Sequence, residues 1–540
     1  MHRSFRSLLK IFLYALVSVI IIGIAANIYA GIYLRNYLDQ NTLNSDTLPY
    51  HIEIGKLQVN LFTRSVCATG VTVNSNDSTS ANNFIDLSVA TIKIAGVSYS
   101  KFLFKKSLYI RNIEFNRPVV NVSNFNTIAT TTDSAAIINL YTIIQDKLKG
   151  IWVGSFKIEK GNITITSKDS TDLLLSIPEL DFELTNIRAD STLNNSLKRL
   201  EAGEMKAVIK GFNGHYLQGL YAFHIPTIAI NSKEGLLSID SILFGPSIAK
   251  QKFAVQLGYQ TDCIQLRLAG LKVHSQKFPE ILELGTVFIE KIEINDVVLR
   301  DYRDMNIPRA PGIKPMPKDM LVDLPFQLTI DQVILSKADI TYEELAEGKT
   351  ESGAIRFANV KGEVTNISNV NMDDTMKVIG SGYVMNQAAV SSQLFFPLNG
   401  NTFSASVNMD AFDMKILNPM VKNLAPMKIV DGKAKSMQMW CAADAIKGSG
   451  QMTFLYSDLE VSALEKGEKK KKSFLSGLIN FVANKVILEK NNPEDNVIRV
   501  GKVEYKRDPE RNIINYSWNL IFSGFKSSIG LKEEKLKKAM

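Results

Sequence analysis

The sequence predicts a mostly-β protein, a repetitive antiparallel sheet with one N-terminal transmembrane helix and a few short helices. Two observations carry this prediction. Beyond residue 50, short segments of alternating apolar and polar residues follow one another, separated by Gly, Asn, Asp and Ser, as expected for strands and turns. Similar segments also recur at a fixed distance along the chain. The 45% hydrophobic content of the 540 residues excludes wholesale disorder.

The N-terminus contains an apolar run without a charged residue from Ile11 to Leu34. About 20 apolar residues suffice to cross a bilayer, and three basic residues precede the run, so the positive-inside rule places the N-terminus in the cytoplasm. We therefore expect residues 1–35 to form a cytoplasmic stub and a single-pass anchor. A cleaved signal peptide is the alternative, but the run is longer than the apolar region of such peptides.

Two strand-like segments resemble each other in detail. The stretch "IDLSVATIKI" starts at Ile85, and "IQLRLAGLKV" starts at Ile264, at an offset of 264 − 85 = 179. In both, the apolar alternation shifts by one position, after Val89 in the first and after Leu268 in the second. Such a shift is typical of a β-bulge, which bends and twists a strand. The shared shift favours a duplication over chance similarity between β-patterned sequences.

The similarity extends well beyond these ten residues. The offset of 179 also relates "IRNIEFNRPVV" to "IEKIEINDVVL", and "ELTNI" from Glu183 matches "EVTNI" from Glu363 at 363 − 183 = 180. We therefore interpret residues 50–190 and 225–370 as two copies of one β-rich unit. Residues 371–540 form a third β region with short apolar helices, one after Ser473 and one in the stretch "NIINYSWNLIFSGFKSSIGL".

The long connection inside each copy differs between the copies. In the first copy, apolar spacing predicts a helix that starts at Asp133 or Ser134 and ends at Gly150. The second copy has "IPRAPGIKPMP" from Ile307, which cannot form a regular helix or a central strand. At one strand per roughly 13–16 residues, we expect on the order of 30–40 strands in the chain.

No pattern of catalytic, metal-binding or cofactor-binding residues emerges from the sequence. The five histidines and three cysteines are scattered without ligand spacing, and HExxH and GxSxG motifs are absent. The fragment "EGKT" lacks the leading glycine of a P-loop. We therefore expect no enzyme activity, no cofactor and no metal. The net charge of +8 does not indicate nucleic acid, because the basic residues are dispersed and lie beyond the membrane.

The alternating strands predict one apolar face. A face of this kind usually forms an ordinary core, and an open apolar trough is the alternative. Acyl chains would suit such a trough, since they need burial without directional hydrogen bonds. As candidate lining we take the residues that follow the phase shift in each copy, namely Ala90, Ile92, Ile94, Ala269, Leu271 and Val273.

Several stretches resemble AsmA-like envelope proteins. The anchor followed by "IEIGKLQVNLFTRSVCATGVTV" is similar to their start. Residues 405–531, including "MDAFDMKILNPMVKNLAPMKIVDGKAKSMQMW" and "FVANKVILEKNNP", resemble the AsmA-like C-terminal region of the Bacteroidetes type. The resemblance implies an elongated sheet that forms a curved groove, related to bridge-like lipid-transfer proteins. This chain is shorter than the members credited with bridging two membranes.

The resemblance implies a protein of the bacterial inner membrane whose bulk lies in the periplasm. Its groove would hold phospholipid acyl chains, in lipid transport between membranes or in outer-membrane homeostasis. A scaffold that assists the assembly of outer-membrane or envelope proteins is the alternative, since exposed strand edges can pair with client proteins. An envelope hydrolase with dispersed carboxylates is a third hypothesis.

Overall fold

The computed structural model describes residues 24–36, 50–75, 84–125, 148–167, 173–190, 201–276, 278, 286–424, 427–463 and 489–530. It is mostly β, with 64% strand and 15% helix. The chain divides into two compact units. Unit 1 contains Met1–His215, Ile225–Glu234 and Leu282–Leu284, and unit 2 contains Tyr216–His224, Gly235–Ile281 and Gly285–Met540.

Unit 1 contains a ladder of seven strands. Its strands are β1 (Tyr50–Asn60), β2 (Ser65–Ser75), β3 (Phe84–Ala95), β4 (Ser107–Phe125), β5 (Gly150–Ser167), β6 (Leu173–Asp190) and β7 (Met205–Tyr216). Helix α1 spans residues 24–36, and α2 spans Tyr99–Lys105. Strands consecutive in sequence pair antiparallel, except that β4 and β5 are parallel. Strand β8 (Tyr221–Asn231) has residues in both units.

Unit 2 contains a longer ladder. Its strands are β9 (Leu236–Pro246), β10 (Asp262–His274), β11 (Thr286–Asp304), β12 (Gln327–Leu345), β13 (Gly353–Ser368), β14 (Thr375–Val384), β15 (Ala388–Pro397), β16 (Phe403–Met409), β17 (Phe412–Asp413), β18 (Met427–Ala443), β19 (Lys447–Ala463) and β20 (Val500–Lys506). Its helices are α3 (Lys250–Leu257), α4 (Pro317–Val322), α5 (Asn418–Leu424) and α6 (Ile513–Ser528), with a 3-10 helix at Met414–Leu417. Only β11 and β12 pair parallel among these described strands.

The repetition predicted from the sequence is present in the strand pairing. In unit 1 Ile92 pairs with Phe115, and in unit 2 Leu271 pairs with Ile294, each residue displaced by 179. The parallel pairing recurs as well, because β4–β5 corresponds to β11–β12. The boundaries 50–190, 225–370 and 371–540 stay predictions.

The parallel pairs depart from the antiparallel sheet that the sequence predicts. A parallel pair needs a long crossover, and residues 126–149 and 305–326 supply one in each copy. The helix predicted in the first crossover lies outside the described residues, except for its end at Gly150, where β5 begins. In the second, α4 begins only at Pro317, the last residue of the proline-rich stretch.

In unit 1 the shift in apolar alternation occurs at paired positions of neighbouring strands. Val71 pairs with Val89 and Thr69 with Thr91, so β2 and β3 shift together and their register is kept. Backbone φ angles in the left-handed region accompany the shift at Gly70 (63°) and, in β4, at the residue before Pro118. A β-bulge would place the extra residue in one strand only. Because the paired strands shift at the same position, the apolar residues before and after the shift lie on one face of the sheet.

The main described core lies in unit 2. Buried side chains of β13–β20 pack against α5 and α6, and Tyr456, Phe454, Met452 and Leu520 are among the most deeply buried. Helix α6 lies in the C-terminal stretch for which the sequence predicts a short apolar helix. The helix predicted after Ser473 lies outside the described residues. Within the part of the chain that the structure describes, no helix has the length and apolarity needed to cross a bilayer.

Candidate functional site: apolar sheet faces and a cavity beside the C-terminal helix

Unit 2 carries an unbroken apolar row across eleven paired strands. Each member is the direct pairing partner of the next, so all of them lie on one face of the sheet. The row contains Leu237, Val273, Ile292, Val333, Val364, Val378, Leu394, Ala405, Cys441, Gly450 and Val503. With strands about 4.8 Å apart, the row extends roughly 48 Å.

Unit 1 carries a corresponding row across all seven strands of its ladder. Its members are Val59, Val66, Ile94, Ile113, Phe156, Leu184 and Met205. A small buried cluster lies beside it, centred on Ala68, Val71 and Val89, the last only 1% exposed. Among the described helices of this unit, α2 alone makes extensive contact with the ladder, at β4. Most of this apolar face therefore has no described helix on it.

Four of the six candidate lining residues lie on these faces. Ile94 and Val273 belong to the two rows. Ile92 and Leu271 lie two residues away in the same strands and therefore face the same side. Ala90 is exposed at the phase shift. Ala269 pairs with Ser241 and Asp296 and lies outside the row. Whether any of the six contacts a lipid stays a prediction.

Beside the two rows, the opposite face carries a charged pair at the same position of both copies. Lys93 pairs with Glu114 in unit 1, and Lys272 pairs with Glu293 at the corresponding position of unit 2. Unlike charges directly across a strand pair stabilise the sheet modestly. The polar face fixes the register, since a slip by one residue would place these charges on the apolar side.

A cavity of about 200 Å³ lies in unit 2 between the apolar face and its helices. Strands β13–β19 form its floor, α5 and the 3-10 helix one wall, and α6 another. Every lining side chain is apolar, and five are methionines, Met409, Met414, Met420, Met427 and Met437. Methionine is unbranched and flexible, so a wall rich in it adapts to occupants of different shape.

A second cavity of about 300 Å³ lies in the same region and shares lining residues with the first. Val407 and Ile521 contribute to both. The second cavity also has small polar residues, including Ser392 and Ser517. The apolar space beside α6 therefore continues into a partly polar one.

Helix α6 is seated by glycines and by the free edge of β20. A Cβ on Gly501 would clash with Ser528 and meet the carbonyl oxygen of Gly524 at 2.5 Å, so only glycine permits this approach. The backbone N–H groups of Lys502 and Glu504 donate to the hydroxyls of Ser527 (2.8 Å) and Ser523 (3.0 Å). The helix thus forms one wall of the cavity and also accepts hydrogen bonds from the edge of β20.

Ionisable residues gather where the apolar face of unit 2 reaches the ends of β10, β11 and β12. Arg303 donates to both carboxylate oxygens of Asp262, at 2.6 and 2.5 Å. Burial, and then the charge of Asp262, raise the pKa of Asp301 to about 7. Tyr342 donates to Glu344 (2.8 Å), and burial raises the pKa of Tyr342 far above its ordinary value.

The described residues contain no group of three or more histidine, cysteine or acidic side chains arranged to hold a metal ion. The three cysteine thiols are free, and burial raises the pKa of Cys263 and of Cys441 to about 11. Such thiols are poor nucleophiles at neutral pH. The side chains that line the two cavities are suited to binding apolar groups.

The cavity residues of β13–β19 were not among the candidates named from the sequence. The signal was available, because Met437, Met439 and Cys441 alternate with Gln438 and Trp440 in "SMQMWC". The alternation of apolar residues could not show that α6 leaves a cavity beside this face. That outcome depends on the packing of residues far apart in sequence.

Comparison with models of known protein families finds no family that matches this chain. Comparison with curated proteins finds no significant relative either.

Proposed function

We propose that this protein is an AsmA-like component of the bacterial envelope that binds phospholipid acyl chains and takes part in phospholipid transport between membranes or in outer-membrane homeostasis. Residues 11–34 anchor it in the inner membrane, with the N-terminus in the cytoplasm and the sheet in the periplasm. It acts without a catalytic centre, a cofactor or nucleic acid.

One observation carries this proposal, the apolar cavity next to the eleven-strand row. Pockets for drug-sized ligands usually hold a few polar groups that fix orientation. The lining of this cavity is entirely apolar, which suits chains that need burial alone. The row extends this apolar surface along the sheet, as movement of a chain along it would require.

The charged residues at the ends of β10–β12 offer a place for the polar end of such a lipid. These charged residues lie on the same face as the apolar row. Asp301 is four and Arg303 six residues beyond Val297 in β11, and Asp262 pairs with Arg303. A lipid headgroup near these residues would keep polar contacts while its chains cover apolar side chains.

The test pairs two substitutions on neighbouring residues of β16. Val407 lines both cavities, while Asn408 is exposed on the other face. We expect Val407→Trp to reduce the phospholipid that co-purifies, as measured by native mass spectrometry, and Asn408→Trp to leave it unchanged. A wild-type protein that carries no lipid, or equal lipid in both variants, would contradict the proposal.

A second test places a photo-reactive residue at Ile92 or Leu271, on the apolar faces of units 1 and 2. We expect crosslinks to phospholipid in cells at both positions. The same probe at Lys93 or Lys272, on the polar faces, is the control and should give none.

The scaffold alternative is favoured by the edge of β1. Among the described strands, β1 pairs with β2 alone, so eleven residues keep one side open to an added strand. Crosslinks from β1 to envelope proteins, together with an absence of lipid in the cavity, would favour this function over transport.

A further inference from the structure

One end of unit 1 exposes large apolar side chains on two neighbouring segments. In the turn between β1 and β2, Phe62 is 69% exposed, and in α2 Phe104 is 87% exposed. Three more side chains at this end, Leu61, Tyr99 and Phe102, are at least 36% exposed. Single exposed apolar residues are ordinary, but five on adjoining segments form a patch. These five residues are called the aromatic end.

Backbone hydrogen bonds hold the two segments together. The N–H groups of Gly96 and Val97, just before α2, donate to the carbonyl oxygen of Arg64, just after the turn, at 2.9 and 3.2 Å. The N–H of Leu61 donates to Oδ1 of Asn27 in α1, at 2.5 Å. The aromatic end therefore adjoins helix α1, which exposes isoleucine and tyrosine side chains and belongs to the apolar run that starts at Ile11.

The same end is basic. Between Gly96 and Arg111 the chain has four lysine or arginine residues and no acidic one. Lys105 and Lys106 are exposed next to Phe104. The N–H of Lys149, which is also exposed, donates to the carbonyl oxygen of Lys106 at 2.7 Å and so brings a further lysine to this end.

We infer that the aromatic end rests on the surface of a lipid bilayer with anionic headgroups. Aromatic side chains partition to the boundary between headgroups and acyl chains, and nearby lysines attract anionic lipid. An acidic protein surface would match the lysines, but it would not account for the continuity with α1. The contact would hold the first strands of the apolar face close to the bilayer. It is independent of whether lipid fills the cavity of unit 2.

The experiment uses the full chain in nanodiscs of phosphatidylcholine alone or with one quarter phosphatidylglycerol. A photo-reactive phenylalanine analogue replaces Phe104, Phe62 or, as a control of similar exposure, Tyr216, which is 63% exposed at the end of β7. We expect at least fivefold more lipid adduct at Phe104 and Phe62 than at Tyr216. Equal yields at the three positions, or adducts to protein in place of lipid, would overturn the inference.

A charge variant separates the lysines from the aromatic residues. With the probe at Phe104, phosphatidylglycerol should raise the adduct yield severalfold, and Lys105→Gln combined with Lys106→Gln should abolish that rise. Because both lysines are exposed, the variant keeps the fold. A rise of the same size in the variant would also overturn the inference, since the basic residues would then have no part in the contact.

Discussion

The two units have the same kind of apolar row but differ in the helices that pack against it. In unit 2, α5 and α6 lie over the face, close a core and leave a cavity beside it. Hydroxyls of α6 also occupy the edge of β20. In unit 1 the described residues place only α2 against the ladder, and the edge of β1 stays open. The repeated strands thus supply an apolar face, and the added helices decide whether it becomes a core, a cavity or an open surface.

The largest expected difference between the units concerns buried phenylalanines. Phe454 in unit 2 is 2% exposed, whereas Phe182 in unit 1 is only partly buried. We expect Phe454→Ala to lower the free energy of unfolding by about 3–5 kcal/mol and Phe182→Ala by about 1–2 kcal/mol. Urea unfolding, with hydrogen exchange to assign the loss to each unit, measures both. Equal losses would mean that the face of unit 1 is covered as fully as that of unit 2.

The next effect is a pH dependence confined to unit 2. The pKa of Asp301 is raised to about 7 by burial and by Asp262, so the folded state favours the protonated form. Its contribution to stability is therefore present below about pH 4 and is lost as the pH rises through 7. Asp301→Asn should remove this loss, and the variant should exceed wild type at pH 8 by a few kcal/mol, since one pKa unit corresponds to about 1.4 kcal/mol.

The readout is the difference between variant and wild type in urea unfolding at pH 4 to 8, since other carboxylates titrate in both proteins. A difference that stays constant with pH would show that Asp301 ionises normally. Asp240→Asn, on an exposed position of β9, is the control for the exchange of a carboxylate for an amide.

The sequence predicted the β class, the repeat and its phase shift, because each depends on residues close together in the chain. It overstated the number of strands, since β4, β11 and β12 reach 19 residues each and the described part contains twenty strands. It also missed the parallel pairs, which depend on where a long crossover returns. The cavity could not be predicted from the sequence, because it exists only where α6 packs against strands that are far from it along the chain.

A smaller effect is expected where α6 meets β20. Gly501→Ala would push a methyl group into Ser528 and the backbone of Gly524. We expect a cost of about 1–3 kcal/mol and faster hydrogen exchange throughout α6. Gly245→Ala is the matched control, because its Cβ would meet only Gln265 at an ordinary 3.5 Å. Unchanged exchange in α6 would indicate that the helix can shift without loss of packing.

The smallest expected effect distinguishes the two copies on their polar faces. In unit 2, Lys291 donates to Glu293 (2.6 Å) and His274 is 3.3 Å away, which lowers the pKa of that carboxyl. At the position of unit 1 that corresponds to Lys291, the residue is Asn112. Lys291→Asn should therefore raise the pKa of Glu293 towards its ordinary value, a change measurable by carbon-13 NMR of labelled glutamate.

The stability cost of Lys291→Asn should stay below about 1 kcal/mol, because the pair is partly exposed and screened by solvent. The lowered pKa of Glu293 stabilises the fold above the ordinary value, and this effect is lost as the pH falls through the lowered pKa, so the cost should appear at pH 7 and disappear on acidification. Asn112→Lys is the reciprocal variant, and it should stabilise unit 1 slightly at pH 7 if the paired strands of both copies share one geometry. An unchanged free energy of unfolding in this variant would restrict the likeness of the two copies to their backbone pairing and apolar faces.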